Sequence, residues 1–113
     1  MTDPIVNYKF TVTVNGTLIG ITKVTGLSEF DDFKYLRLTR PVTGDADDQF
    51  LLNWFRGEKA TKDVSISVAG GAVLFLITGV EPTYIEYGEL NASVNQVLSR
   101  VFEFTYDKLA VTP

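Results

Sequence analysis

Residues 10–20 read FTVTVNGTLIG, and this stretch decides the fold that the sequence predicts. Its first half alternates apolar residues with threonine, a period of two that is typical of a strand with one buried and one wet face. Asn15 and Gly16 follow directly, and both tolerate the positive φ that a tight type I′ turn requires. The chain then returns as a second strand, Thr17 to Val24, in which Gly20 indicates a bulge or a close backbone contact. This stretch therefore predicts an antiparallel hairpin.

Similar strand signals recur along the rest of the chain. They predict strands at Asp31–Arg40, Asp63–Val68, Ala72–Thr78, about Val80–Glu86 and about Val94–Leu109. In the last of these, Arg100 interrupts an otherwise apolar face. Together with the hairpin, these segments predict a mainly β fold, a small β-sandwich or open barrel of about six to seven antiparallel strands with one flanking α-helix.

That helix is predicted at about Ala46–Arg56. Asp45 is a good N-cap residue, and Asp47 and Asp48 follow it in the first turn, where the helix dipole favours negative charge. Gly57 is placed to end the helix in a left-handed conformation. The apolar stripe of the helix comprises Phe50, Leu51, Trp54 and Phe55. We expect this stripe to pack on the sheet as core rather than to form a ligand platform.

Composition limits the chemistry that is available to the chain. The 113 residues suit one domain, residues 1–113, and 45% are apolar, which is enough for a modest core. There is no cysteine, so disulfides and thiolate zinc sites are excluded. There is also no histidine, so the usual general base and the commonest transition-metal ligand are missing. We therefore expect no enzyme, no catalytic residue and no cofactor.

The charge balance argues against two classes of partner. The formal net charge is −4 and no cluster of lysine or arginine stands out, so we expect no specific nucleic-acid binding. The longest apolar run, residues 72–77, is far shorter than the roughly 20 residues of a membrane-spanning helix. Residues 1–6, MTDPIV, lack the basic start and apolar core of a signal peptide. We expect synthesis in the cytoplasm and no membrane anchor.

Carboxylates and tyrosines are the remaining candidates for a site. The carboxylates group as Asp45, Asp47 and Asp48, and as Glu29, Asp31 and Asp32. The first group suits Ca²⁺ or Mg²⁺ but lacks EF-hand spacing, and helix capping already explains it, so no metal is expected. The second group is weak evidence for sugar hydrolysis, because neighbours on a strand point to opposite faces. Tyr84 and Tyr87 are compatible with an aromatic platform, but they are also ordinary strand residues.

Two segments and the helix between them carry a resemblance to a known family. The first hairpin closes on Val24-Thr25-Gly26-Leu27, and residues 88–97 read GELNASVNQV. In this combination the chain resembles the tail tube proteins of contractile phage tails and related injection systems, including type VI secretion tubes. The structural signature comprises Phe10, Val12, Val14, Gly16, Gly20, Gly26, Leu27, Trp54, Leu90, Asn91, Ala92, Asn95 and Val97. One departure is clear, since Ser28–Lys34 is shorter than the hairpin that usually follows the Val-x-Gly-Leu closure.

The resemblance implies a structural role. Members of the family form hexameric rings that stack into a hollow tube, together with sheath and baseplate proteins of the same tail. About four strands from each of six copies would close a barrel with a backbone diameter of about 37 Å, wide enough for the transient passage of DNA or effector protein. The expected location is a virion tail or phage-tail-like particle. Three alternatives stay open: a tube-end ring that initiates or terminates the tube, a type VI secretion carrier ring, and a monomeric small-ligand-binding β-barrel.

Overall fold

The computed structural model describes residues 9–28, 34–58, 60–88, 93 and 98–112. Within them, the strands are β1 Phe10–Val14, β2 Thr17–Ile19, β3 Lys23–Thr25, β4 Tyr35–Pro41, β5 Lys62–Val68, β6 Val73–Tyr87, β7 Ser99–Thr105 and β8 Lys108–Thr112. The helix α1 is Ala46–Asn53, followed by a π-helical turn Trp54–Glu58, and a 3-10 turn Ala69–Gly71 joins β5 to β6. This confirms the mainly β prediction with one helix.

All pairings in the sheet are antiparallel, in the order β2-β1-β5-β6-β7-β4-β3, with β8 also on β6. The long strand β6 divides the sheet into two parts. Its first half, residues 73–80, pairs with β5 and β8, and its second half, residues 81–87, pairs with β7. We call β2, β1, β5, residues 73–80 of β6, and β8 sheet A; residues 81–87 of β6, β7, β4 and β3 form sheet B. Within the described part of the chain, the two ends of this order do not pair with each other, so the sheet is open rather than closed.

The corner between the sheets lies at Gly79. The prediction of two separate strands at 72–78 and 80–86 was wrong, because Gly79 adopts a φ of 67° inside one continuous strand. A Cβ at Gly79 would overlap the carboxylate of Asp107. Asp107 lies in the break between β7 and β8, and its N–H donates to the carbonyl of Thr78 over 3.0 Å. The predicted strand Val94–Leu109 is therefore interrupted where β6 bends.

A second interruption separates β2 from β3, which were predicted as one strand from Thr17 to Val24. β2 pairs with β1 in sheet A, whereas β3 pairs with β4 in sheet B. Between them, the N–H of Gly20 donates to Asp47 over 2.8 Å and its carbonyl accepts from Arg40 over 3.1 Å. The backbone groups of Gly20 thus bond to side chains instead of a ladder. These two breaks add two strands to the seven predicted and the merger at Gly79 removes one, which gives eight strands in the described part of the chain.

The core lies between the two sheets and α1. Its fully buried side chains come from both sheets and the helix, and include Val12, Val14, Leu36, Leu38, Leu51, Trp54, Val64, Ile66, Ile77, Phe102 and Phe104. The ring of Trp54 is 4.9 Å from that of Phe104, and the ring of Phe55 is 5.2 Å from that of Phe102. This confirms that the aromatic stripe of the helix is core.

The end of the helix differs from the prediction. Gly57 does not adopt a left-handed conformation, and the chain passes through it in the π-helical turn Trp54–Glu58. The consecutive residues Trp54 and Phe55 are both buried there. The indole Nε1 of Trp54 donates to the carbonyl of Ala60 over 2.6 Å, so the side chain itself holds the chain that leaves the helix. Tertiary packing therefore decides how this helix ends.

Candidate assembly interface

Four strand edges have no strand partner within the described residues. They are the outer edges of β2 and β8 in sheet A, the outer edge of β3 in sheet B, and the side of residues 81–87 of β6 that faces away from β7. The N–H and C=O groups on such an edge can pair with a strand of another chain. These edges are the strongest candidate for an assembly interface.

The edges of the two sheets differ in composition. In sheet A, β2 reads TLI and β8 reads KLAVT, so Lys108 is the one charged residue on either edge. In sheet B, β3 begins with Lys23, and residues 81–87 of β6 contain Glu81, Pro82 and Glu86 with a register shift between Pro82 and Tyr84. Charge, proline and bulges are the features by which natural proteins protect edge strands from pairing.

The face of sheet A that points away from the core is largely uncharged. One row of aligned residues crosses all five strands, from Leu18 through Thr13, Ser65 and Leu76 to Ala110. The adjacent row contains Thr11, Ser67, Leu74 and Thr112. The hydroxyls of Thr13 and Ser65 hydrogen-bond to each other. Leu18 and Leu76 are 62% and 41% exposed, which makes them the large apolar side chains that this face presents to solvent.

The corresponding face of sheet B carries a polar network. Arg37 Nε donates to Glu103 Oε1 over 2.9 Å, and Arg37 Nη2 donates to the hydroxyl of Tyr84 over 3.3 Å. The hydroxyl of Thr83 donates to the carbonyl of Glu103 over 2.8 Å. The hydrogen bond to Glu103, followed by the charge interactions with Tyr84 and Glu103, raises the pKa of Arg37. Tyr84 therefore takes part in an ion-pair network rather than in a free aromatic platform.

A buried charge cluster attaches α1 to sheet B. Asp48 is fully buried, and its Oδ1 accepts from Arg40 Nη1 over 2.7 Å. Its Oδ2 accepts from the backbone N–H groups of Thr43 and Gly44 over 2.8 and 2.7 Å. Arg100, directly opposite Arg40 on the neighbouring strand, approaches Asp48 Oδ1 to 3.7 Å through Nη1. Burial alone raises the pKa of Asp48, but the backbone donors and the two arginines outweigh it, so the net shift is downward.

Asp45 completes the cluster at the start of the helix. As predicted, it is the N-cap of α1 and accepts from the N–H of Asp48 over 2.9 Å. Arg40 also donates to both of its carboxylate oxygens, over 2.9 and 3.1 Å. The hydrogen bond from Arg40, with that from the Asp48 backbone, holds the pKa of Asp45 well below its usual range. The carboxylates of Asp45, Asp47 and Asp48 thus all accept hydrogen bonds from arginine side chains or backbone N–H groups. Among the described residues, no group of side chains forms a metal-binding cluster.

These lowered pKa values predict acid sensitivity. A carboxylate whose pKa is depressed on folding adds stability above its unfolded pKa of about 3.9, and this stability is lost as pH falls toward the folded pKa. The free energy of unfolding should therefore fall on acidification below about pH 5, and Asp45→Asn should flatten that decline. Urea unfolding of the natural protein and of Asp45→Asn between pH 2.5 and pH 6 measures the free energy of unfolding at each pH. Parallel pH profiles for the two proteins would contradict a role for Asp45.

An apolar groove lies at one end of the space between the sheets. It has a volume of about 280 Å³, and its lining includes Phe10, Val24, Leu27, Val68, Val73 and Phe75. Ligand pockets usually have volumes of about 300–1,000 Å³ and contain a few placed polar groups. Among the described residues, the side chains that line this groove are all apolar, so none of them offers a polar group that would orient a small ligand.

The structure describes eight of the thirteen signature residues, and they occupy three kinds of position. Val12, Val14 and Trp54 are core residues, and Phe10 and Leu27 are partly buried against them. Gly16 and Gly26 have φ values of +85° and +92°. Gly20 makes the close backbone contact with Asp47 described above. The remaining signature residues, Leu90, Asn91, Ala92, Asn95 and Val97, lie outside the described residues, as do Glu29, Asp31 and Asp32.

Sequence reasoning missed the cluster of Arg40, Asp48 and Arg100. It explained Asp48 by helix capping and the helix dipole, and it placed Arg40 at the end of the predicted strand Asp31–Arg40. The available signal was Arg100, a charged residue on an apolar strand face. A buried arginine needs a carboxylate close by, and Asp48 is the one that α1 brings to it.

Comparison with solved structures shows which proteins share this fold. A chain in the structure of the anti-feeding prophage cap, a tube-terminating cap, matches with a TM-score of 0.83 at 17% identity, over 99% of this chain and 93% of that chain. The chain has the fold of that protein. A chain in the sheath/tube terminator of the PVC extracellular contractile injection system, in its extended state, gives 0.80 at 19% identity, over 99% of both chains. A chain in the sheath–tube complex of the same system matches with a TM-score of 0.78 at 18% identity, over 96% of this chain and 91% of that one.

These identities establish likeness of fold. No protein-family model matches the sequence, and no curated protein matches it at a significant level. Within the described residues, no helix combines the length and apolar character needed to cross a membrane.

Proposed function

We propose that this chain, as one tail-tube-like domain over residues 1–113, is a structural subunit of the inner tube of a contractile phage tail or phage-tail-like injection system. The outer strand edges of sheet A, which have no strand partner among the residues that the structure describes, carry the proposal, because they occur on a fold shared with tube-terminator and sheath–tube components. Its partners are further copies of itself, together with sheath and baseplate proteins of the same tail. It is synthesised in the host cytoplasm and is incorporated into the tail particle.

The geometry of the edges suits a ring. A closed ring requires a heterologous interface, in which one surface of each copy meets a different surface of the next. Sheet A offers two different edges, β2 and β8, on opposite sides of the same sheet. Six such copies form a hexameric ring, and stacked rings form a conduit through which DNA or an effector protein passes. The role is structural and requires no catalytic residue.

A tube-end ring is the second candidate. The protein with a TM-score of 0.83 is in a tube-terminating cap, and the one that matches over 99% of both chains is in a terminator. The short connection Ser28–Lys34 favours the same role, because the longer hairpin of tube proteins contributes to contacts between neighbours. A terminator must bind a ring on one face only. It therefore gives single rings, whereas a tube-body subunit gives stacks.

Assembly of the purified protein tests both candidates. We expect concentration-dependent formation of rings in sedimentation velocity and in negative-stain micrographs, because unpaired edges are satisfied only when copies meet. Added sheath protein of the same system should promote long stacks of a tube-body subunit but leave a tube-end protein as single rings. A protein that stays monomeric at high concentration, with and without sheath protein, would contradict both.

A further inference from the structure

We propose that Asn15 is a site of spontaneous deamidation, and that a hydrogen bond from the backbone of Asp63 to its side chain suppresses the reaction while the hairpin turn stays closed. The inference concerns the chemistry of this chain by itself and does not depend on the proposed function. Asn15 is the one asparagine of the sequence that is followed by glycine, and it lies in the turn between β1 and β2.

The reaction passes through a cyclic imide. The main-chain nitrogen of Gly16 loses its proton and attacks Cγ of Asn15, while Nδ2 takes up a proton and leaves as ammonia. Water then opens the five-membered ring. Cleavage of the new bond between Cγ and the Gly16 nitrogen gives aspartate, whereas cleavage of the original peptide bond gives isoaspartate, whose main chain runs through Cβ and Cγ. Water from solvent enters, ammonia leaves, and no atom is oxidised or reduced.

The surroundings of the turn permit this chemistry. Asn15 and Gly16 are both exposed, and Gly16 has no Cβ that would hinder closure of the ring. Within the described part of the chain, the N–H of Gly16 donates to no acceptor, so the attacking nitrogen is not engaged elsewhere. The turn also lines an open depression of about 450 Å³ on the outer face of sheet A, through which water reaches it.

The side chain of Asn15 completes the β1–β5 ladder. Val14 pairs with Val64, so the next rung joins Asn15 to Asp63. The N–H of Asn15 donates to the carbonyl of Asp63 over 2.8 Å, as in an ordinary rung. The N–H of Asp63 donates over 2.8 Å to Oδ1 of Asn15 instead of to its main-chain carbonyl, because the main chain has already entered the turn with a φ of 47°. The carboxamide is thus one half of a ladder rung.

This rung sets the condition under which the reaction occurs. Attack requires Cγ of Asn15 to lie within about 3–3.5 Å of the Gly16 nitrogen, in line for addition. The rung instead holds the carboxamide against β5, on the side of the Asn15 N–H, whereas Gly16 leads toward β2. The carboxamide must therefore leave Asp63 before it can reach Gly16. The rate of deamidation follows the fraction of molecules in which this end of the ladder is open.

Incubation of the natural protein at one mildly alkaline pH, folded and in denaturing guanidinium chloride, tests the inference. Tryptic peptide 10–23 contains Asn15 and no other asparagine, so mass spectrometry of that peptide assigns the modification. We expect deamidation to be at least about tenfold slower in the folded protein. Tryptic peptide 38–56 is the internal reference, because its asparagine, Asn53, precedes the bulky Trp54 and should stay unmodified. Equal rates for Asn15 in folded and denatured protein would overturn the inference.

Two substitutions at one position separate the backbone rung from the Asp63 carboxylate. Asp63→Pro removes the N–H that donates to Asn15 Oδ1, and it should speed deamidation of the folded protein by about tenfold or more. Asp63→Ala keeps the N–H and should react as slowly as the natural protein. Equally slow deamidation in the two folded variants would contradict the role of the rung.

Hydrogen exchange of the natural protein decides the question if circular dichroism shows that Asp63→Pro does not fold. The amide of Asp63 should be protected from exchange by about the same factor by which folding slows deamidation, because one opening event exposes both groups. An unprotected Asp63 amide in a protein whose Asn15 deamidates slowly would overturn the inference.

Discussion

Replacement of Gly26 by alanine is expected to lower the free energy of unfolding by about 2–5 kcal/mol. Gly26 has a φ of +92°, and an added Cβ would overlap the carbonyl oxygen of Tyr35 and lie 3.0 Å from its carbonyl carbon. The obstacle is backbone at the start of β4, which cannot rotate away as a side chain can. The left-handed conformation contributes about 1–2 kcal/mol to the loss, and the forced shift of the backbone contributes about 1–3 kcal/mol.

Gly16→Ala is the matched control for this prediction. Gly16 has a similar φ of +85°, but among the described residues no heavy atom other than those of Gly16 and its two chain neighbours lies within 4 Å of the position of a Cβ. It should therefore lose the conformational part alone, about 1–2 kcal/mol. Urea unfolding of the two variants and the natural protein separates the cost of the left-handed conformation from the cost of the overlap with the Tyr35 backbone. Equal losses in the two variants would show that the approach of Gly26 to β4 does not limit stability.

The parts of this fold that could be predicted from the sequence depend on local chemistry. The Asn15–Gly16 turn follows from two residues that tolerate positive φ, and both adopt it. The N-cap follows from Asp45 and its position one residue before α1. The core faces of β1 and β5 follow from a period of two. Each of these features is determined within a few residues, so the sequence pattern and the structure agree.

The features that the sequence did not predict depend on contacts between distant residues. Gly20 interrupts the return strand because Asp47 and Arg40 bond to its backbone. Gly79 bends β6 without ending it, because Asp107 lies beside it and β8 continues the pairing. A glycine in a strand signals irregularity, but the partner that decides between a bend and a break lies elsewhere in the chain.

The sequence predicted that strand edges form the candidate interface, but it did not predict which strands supply those edges. Unpaired strand edges were expected from the resemblance, whereas the contrast between sheets A and B depends on which strands are outermost. β2 and β8 come from opposite ends of the chain, and only the topology makes them the two edges of one sheet. The row from Leu18 to Ala110 likewise exists only once the register of four strand pairs is known.

The polar cluster connects this interface to the stability of the fold. Arg40 bonds to the carbonyl of Gly20, which immediately follows the edge strand β2, and the same arginine binds Asp45 and Asp48 of the helix region. The position of the end of β2 therefore depends on the ion pairs that hold Arg40. Asp48 is the member of the cluster with the most partners, so its removal should have the largest effect.

Replacement of Asp48 by alanine is expected to cost about 3–5 kcal/mol, a large share of the roughly 5–15 kcal/mol that stabilises a typical domain. Arg100 would lose its carboxylate while remaining buried, and within the described residues its Nε and Nη1 already have no hydrogen-bond partner. The N–H groups of Thr43 and Gly44 would lose their acceptor as well. Urea unfolding, with far-UV circular dichroism to confirm the folded baseline, measures the loss.

Asp47→Ala is the control, because Asp47 lies one residue earlier on the same helix and its Oδ2 accepts a hydrogen bond from the N–H of Gly20 at an exposed position. The Asp47→Ala variant should lose about 0.5–1.5 kcal/mol of unfolding free energy, the usual net value of one hydrogen bond.

The double variant Asp48→Ala/Arg100→Met should be more stable than Asp48→Ala alone, because it removes the buried positive charge that the single variant leaves unpaired. If the double variant instead lost the sum of both single effects, Arg100 and Asp48 would be energetically independent. The cluster would then not be the element that holds α1 and the β2 edge in place.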